Sequence, residues 1–279
     1  MKTFVLLLSL TLLSCGMTFD SDSCSDVADG GSLIEVDRLC PYHTSGEQVV
    51  NHFAYSLAYS EKHEQPLWTA YMLTADRVDG DVKRSNYFHD DESVSTGSAQ
   101  YYDYKKSGYS RGHLVPAGDM KWDSLAMVES FYMSNMSPQL QNFNSGVWNR
   151  MEEQVRRWAS LYDTLFVITG PVLTDYGLDA IDAVSIDGGG VDFETIGIDS
   201  EISVPFFFFK AVYDPDRGEA LAFLVPHEGT KAHISSFVVS VDELEAAVGF
   251  DLFHQVADDV EFSMEAKTAD ACVRSWSWN

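Results

Sequence analysis

Positive charge is what this sequence has least of. Its 279 residues carry 18 Lys and Arg against 43 Asp and Glu, a net charge of −25. A protein that holds nucleic acid through a globally basic surface is therefore disfavoured. Cysteine is scarce as well, with four in the chain and no CxxC pair. His63-Glu64 has no second histidine four residues after His63, so there is no HExxH and a zinc site has no support. No apolar run approaches the roughly 20 residues that a membrane helix needs. No internal repeat is present. What the chain does have is 45% hydrophobic and 13% aromatic residues. That is enough to bury a core, and it rules out the disordered and low-complexity classes.

The N-terminus reads Met1, Lys2, then an apolar run from Phe4 to Leu13. A basic start, a short apolar core and small residues behind it predict a signal peptide over 1–15. Export follows, to the outside or the periplasm. Leu12-Leu-Ser-Cys15 also resembles a lipobox, so a lipid anchor at Cys15 stands beside plain secretion. An exported chain can form disulfides. One bridge and one free thiol among Cys24, Cys40 and Cys272 is the simplest outcome, with the pairing open. Residues 16–40, rich in Asp, Ser and Gly, read as an acidic solvated linker. Residues 41–279 read as one domain.

Within it, strand and helix signals mix. Leu67–Leu73, Leu165–Ile168, Val204–Val212 and Ala220–Val225 are apolar and β-prone, and Phe206–Phe209 reads as buried strand. Val147, Trp148, Met151, Val155 and Trp158 recur at helical spacing. Ser240-Val-Asp-Glu243 is a capping box before a short helix that stops near Gly249. The fold class expected is α+β, strands dominating. Asp187-Gly-Gly-Gly-Val-Asp192 reads as a surface turn, since it lacks the Gly-Lys-Ser/Thr of a phosphate loop.

The stretch from 84 to 152 is richest in chemistry. Histidine is the side chain best suited to general-base work near neutral pH, and His113 stands in Ser110-Arg-Gly-His113. Arg111, two residues earlier, would share its strand face and offer a forked charge to phosphate oxygens. Asn144 supplies a neutral oxygen at the mouth of a helix, and Glu152 follows about two turns later. An amide oxygen near a carboxylate suits a hard, water-rich cation such as magnesium. Taken singly, each has a blander reading: a loop histidine, a helix cap, a solvated acid. The ordered set is more specific.

That set resembles the DNA/RNA non-specific endonucleases of the ββα-metal type, the endonuclease G-like group. The matching motifs are Ser110-Arg111-Gly112-His113, Ser134-Asn135 with Pro138-Gln139, and Asn144 with Trp148 and Glu152. The resemblance runs in order over roughly residues 45 to 260. It implies a ββα-metal nuclease fold with a central, mainly antiparallel sheet flanked by helices. It implies His113 as general base, Asn144 as the direct ligand of Mg2+ (with Mn2+ as an alternative), and Glu152 holding the metal's waters. Asn135 would support the site and help to position His113 or the phosphate. Arg111 and Arg84 would contact phosphate. Products would carry 5′-phosphates. DNA and RNA would be the substrates, a homodimer occurs in the family, and no small-molecule cofactor is implied. Ser110 stands where the family carries Asp.

The charge objection has an answer in the sequence. Residues 77 to 157 hold 10 of the Lys and Arg against 11 acids, so this segment is nearly neutral. The expectation is a neutral-to-basic groove on an acidic body. No base-reading motif occurs, so sequence preference should be slight. The competing readings are a binding protein on the same fold and a phosphodiesterase with another substrate.

Overall fold

A computed structural model describes residues 40–42, 46–173, 192–198 and 200–278. The signal-peptide and linker segments, Cys15, Cys24 and the Asp187–Gly190 turn lie outside them. Eleven strands form: β1 (Gln48–Asn51), β2 (Tyr55–Ser60), β3 (Gln65–Thr74), β4 (Ser110–His113), β5 (Met136–Gln139), β6 (Thr164–Pro171), β7 (Thr195–Ile196), β8 (Ile202–Ser203), β9 (Phe207–Asp214), β10 (Glu219–Pro226) and β11 (Val238–Val239). The helices are α1 (Ala75–Val78), α2 (Ser124–Glu129), α3 (Gln141–Phe143), α4 (Asn149–Tyr162), α5 (Val241–Val248), α6 (Asp258–Glu265) and α7 (Ala269–Ser275). This is the α+β class expected.

Seven strands make one antiparallel sheet in the order β1-β2-β3-β6-β9-β10-β11. Its central strands are apolar on both faces because both faces are covered. On one face Tyr71, Leu73, Val167, Phe208, Val212 and Phe223 pack against Val147, Trp148, Met151, Val155 and Trp158 from the α4 segment. On the other, Trp68, Ala70, Ile168, Phe209 and Ala211 meet Val241, Leu244 and Val248 of α5. The alternation along β9 sends Phe208, Lys210 and Val212 toward α4.

The expected helices form as their signals require. The Ser240 hydroxyl accepts from Glu243 N–H at 3.1 Å, the Glu243 carboxylate accepts from Ser240 N–H at 2.8 Å, and α5 ends at Gly249 with φ 80°. A residue with a Cβ would pay for that left-handed cap. The strand expected from Val204 starts later, at Phe207. Ile202–Ser203 pairs instead with Thr195–Ile196, and Pro205 gives its carbonyl to His227. Phe206 is consequently 40% exposed rather than buried. Cys40 is disulfide-bonded and Cys272 is a buried free thiol, one bridge member and one thiol as expected.

β4 and β5 form a separate antiparallel pair, with His113 opposite Met136. A Cβ on Gly112 would come within 2.2 Å of the Gln139 side chain, so the close pairing needs glycine. This pair and α4 together make the β-β-α unit on which the candidate residues stand. Behind α4, Trp158 packs against Trp276 at 4.8 Å and Trp278 at 5.2 Å, and its indole N–H donates to the Ser277 carbonyl.

Candidate active site

A cavity of about 210 Å³ opens between β4 and the start of α4. Arg84, Arg111, His113, Asn144 and Glu152 all line it. Five of the six residues picked out by sequence are thus brought together. Lys83, next to Arg84 in sequence, does not line it.

Arg111 and His113 share one face of β4, as strand alternation requires. Their wall is made of rings. The Arg111 guanidinium lies between Phe88 at 4.6 Å and Tyr101 at 4.3 Å. Arg84 lies over Phe131 at 5.0 Å. The His113 imidazole meets the edge of Phe131 at 4.8 Å and Phe88 at 5.7 Å. Such contacts hold a cation without using its N–H groups. Arg111 Nε and His113 Nε2 are accordingly buried with no hydrogen-bond partner. Burial, then the charges of Arg84 and Arg111, push the His113 pKa down to about 3. The ring is neutral near pH 7 and carries a free lone pair.

The opposite wall is made of charges. Between α3 and α4 the chain takes a wide turn, Asn144–Trp148, kinked at Gly146. Eight residues at α-helical spacing would leave Asn144 and Glu152 about 80° apart around the axis. The wider turn makes up that angle and sets both on the cavity. Trp148 anchors the turn by donating from Nε1 to the His113 carbonyl at 3.3 Å. Behind Glu152, fully buried Asp119 accepts from Arg156 Nη1 at 2.7 Å and from the Tyr71 hydroxyl at 2.7 Å. Lys210 is fully buried, its ammonium 4.7 Å from the Trp148 ring centre. Burial and the nearby Asp119 raise the Glu152 pKa, while Lys210, Arg156 and Arg84 hold it back. Burial lowers Lys210, against the pull of Glu152 and Asp119.

Asn135 is not in the cavity. It is fully buried, accepting from Val115 N–H at 2.9 Å and donating to the carbonyls of Val115 at 3.0 Å and Ser130 at 2.8 Å. A direct phosphate contact is closed to it. It staples the chain two residues beyond His113 and so can act only by positioning. Ser110, at the position of the family's Asp, donates to Gln141 Oε1 at 2.8 Å and steadies a residue that lines the cavity.

Sequence reasoning missed the ring wall (Phe88, Tyr101, Phe131) and the charge wall (Tyr71, Asp119, Arg156, Lys210). A single lysine inside the apolar run Phe206–Val212 was the one available signal. The other buried histidines are structural: His52 pairs with Asp91 at 3.0 Å and His63 with Ser203 at 2.9 Å, while half-buried His227 accepts a hydrogen bond from Leu140 N–H at 2.7 Å.

Among the described residues, neither the Asn144 amide nor the Glu152 carboxylate makes a side-chain hydrogen bond or ion pair. An uncommitted amide oxygen and carboxylate facing a cavity with room for several waters fit a hard divalent cation that keeps much of its hydration.

Comparison with known proteins agrees with this geometry. The model of the DNA/RNA non-specific endonuclease family matches residues 40–259. Mitochondrial nuclease EXOG of Mus musculus is 33% identical over 220 residues, 75% of this chain and 58% of that protein. Mitochondrial endonuclease G of Bos taurus is 30% identical over 221 residues, 76% of this chain and 71% of that protein. The chain thus spans about 58% of the length of the EXOG relative. A crystal structure of EndoG in complex with EndoGI superimposes with a TM-score of 0.68 at 30% identity, covering 80% of this chain and 92% of that one. The relatives' names also correct one expectation. EXOG, endonuclease G and the nucleases of Schizosaccharomyces pombe and Saccharomyces cerevisiae are all named mitochondrial, which overturns export to the outside or the periplasm. The lipid anchor at Cys15 rested on that same reading.

Proposed function

This chain belongs to the DNA/RNA non-specific endonuclease family, and we propose that it is a metal-dependent endonuclease that hydrolyses phosphodiester bonds of DNA and RNA with little sequence preference. The observation that carries the reading is one cavity lined by two guanidiniums, a neutral histidine, an amide and a carboxylate. Asn144 would hold Mg2+ directly and Glu152 through its waters. Such an ion supplies charge neutralisation at the scissile phosphate and at the departing oxygen.

The remaining chemistry belongs to the side chains. Arg84 and Arg111 bind the phosphate's non-bridging oxygens through N–H groups that the ring wall leaves uncommitted. The negative phosphate offsets the two charges that depress His113, so the ring gains basicity when substrate is in place. His113 takes a proton from water. The water oxygen bonds to phosphorus as the bond to the 3′ oxygen breaks; that oxygen takes up a proton from solvent, leaving a 5′-phosphate and a 3′-hydroxyl. The chain carries no base-reading motif, so sequence preference should be slight.

The test is cleavage of supercoiled plasmid and of RNA by the purified protein and by His113→Ala, each with magnesium and with EDTA. Metal-dependent cutting of both substrates is expected, with His113→Ala slower by about 10³-fold, the scale of a lost general base. Failure of the wild type to cut either nucleic acid with magnesium or manganese would overturn the reading.

A further inference from the structure

His227 does not line the catalytic cavity, yet it ties together two elements that frame it. It follows β10 directly, and its own N–H donates to the Phe206 carbonyl at 2.8 Å. Its ring bridges two further backbone groups. Nε2 accepts from Leu140 N–H at 2.7 Å, and Nδ1 lies 2.8 Å from the Pro205 carbonyl. An amide N–H can only donate and a carbonyl can only accept, so these two partners fix the tautomer. The proton sits on Nδ1, and Nε2 presents its lone pair.

Leu140 is the residue before α3, and its carbonyl accepts from the N–H groups of Phe143 at 3.0 Å and Asn144 at 2.9 Å. Gln141, next to it, lines the cavity. The grip of His227 thus reaches Asn144 through a single residue. The chain after His227 adds to the same clamp. A Cβ on Gly229 would come within 2.4 Å of Asn142 Nδ2, and Arg150 donates to the carbonyls of Thr230 at 3.0 Å and Ala232 at 3.1 Å. Arginine keeps its charge throughout, so only the imidazole can change its bonding with pH.

A protonated imidazole donates from both nitrogens. Nε2–H would then face Leu140 N–H, donor against donor. The edges of Phe143 at 5.1 Å and Phe208 at 5.0 Å wall the ring in and offer neither group a new acceptor. Burial lowers the His227 pKa from the ordinary histidine value, and the Pro205 carbonyl pulls it back. The titratable and charged groups around the ring are Tyr109, 6.1 Å away with its hydroxyl on Glu194, exposed Glu228 and Arg150. None of them bonds to the imidazole.

We propose that His227 is a positioning residue with an acid release: neutral, it holds the Leu140–Asn144 turn in place for the metal, and protonated, it lets that turn go. This rests on the endonuclease reading, in which Asn144 is the direct ligand. It adds an acid brake seated outside the catalytic groups, acting below the ordinary histidine value of about 6.5.

The first test needs no activity. Amide hydrogen exchange across residues 140–144 is followed in the full chain, with constant magnesium, at pH 8 and pH 4.5. The lower pH still lies above the His113 value near 3. Each rate is divided by the intrinsic rate at that pH. Wild-type protection at Leu140 should fall about tenfold at pH 4.5, the scale of one buried hydrogen bond, while protection in β6 holds. His227→Gln offers an amide oxygen to Leu140 N–H and does not titrate, so its protection should not change with pH. His227→Leu has no acceptor and should be unprotected at both. In cleavage assays, the ratio of kcat/KM at pH 8 to that at pH 5 should be about tenfold larger for the wild type than for His227→Gln. Equal wild-type protection at the two pH values would overturn the proposal, with no variant needed. So would an equal acid loss in His227→Gln, since another group would then be titrating. A wild type that shows the exchange change but cuts no nucleic acid at any pH overturns the endonuclease reading instead, and the acid release stands.

Discussion

On one wall of the cavity Arg84, Arg111 and His113 rest on aromatic rings; on the other Asn144 and Glu152 stand before a buried network of charges. Rings fix the position of a cation or an imidazole while leaving its polar atoms unspent. The charge network fixes the field that Glu152 feels, through Asp119, Arg156 and Lys210, and within it Asp119, Arg156 and Tyr71 spend polar atoms on one another. The first wall is built to meet a ligand, the second to hold an electrostatic setting. Packing tolerates small changes in shape, whereas a buried pair tolerates little change in charge.

Asp119→Asn should show this contrast most strongly. It leaves Arg156 without its anion and adjacent to Lys210, and breaking such a pair costs about 3 kcal/mol. Urea unfolding measures it, and a loss below 1 kcal/mol would mean that the network contributes little. Phe131→Leu makes the matching change on the ring wall. It keeps an apolar filler, so about 1 kcal/mol of stability is expected to go, with a larger fall in kcat than in stability, as Arg84 and His113 lose their shared support. An unaltered kcat would show that the ring is mere filling.

The sharpest separation is in pH. The folded His113 value near 3 lies below its unfolded value of about 6.5, so its contribution is whole above 6.5 and is lost as pH falls toward 3. Glu152 has a raised folded value, so its contribution is whole below about 4.5 and is lost as pH rises through that raised value. His113→Ala should therefore flatten the acid side of the stability curve, and Glu152→Gln the neutral side. Urea midpoints from pH 4 to 8 for the three proteins decide it. Two variants that shift the same limb would sink the distinction.

What the sequence made legible follows from range. His113 and Arg111 are two residues apart on one strand, so strand alternation grouped them, whereas Asn144 and Glu152 share a cavity only because the irregular turn at Gly146 makes up the angle that helical spacing leaves. Strand and helix signals likewise worked where the cause was local, as in the Ser240–Glu243 capping box. The ring wall joins residues 88, 101 and 131, and the charge wall joins 71, 119, 156 and 210. The meeting of Tyr71 and Lys210 depends on β3, β6 and β9 lying side by side, and the ring wall on loops far apart in sequence, which no short pattern encodes. Asn135, expected to support the site, makes three buried hydrogen bonds that fix the chain two residues beyond His113. The strand expected at Val204 failed because Ile202–Ser203 had a partner elsewhere in the chain.

The indole of Trp158 takes its cover from residues 276 to 278, 119 residues further along the chain by its bond to Ser277. During synthesis the helix that carries Glu152 therefore emerges long before the segment that closes its rear. A nascent chain extended only through β10 has every residue of the cavity yet leaves that helix open to water along one side. Closure of that helix's rear thus waits for a segment more than a hundred residues further along the chain.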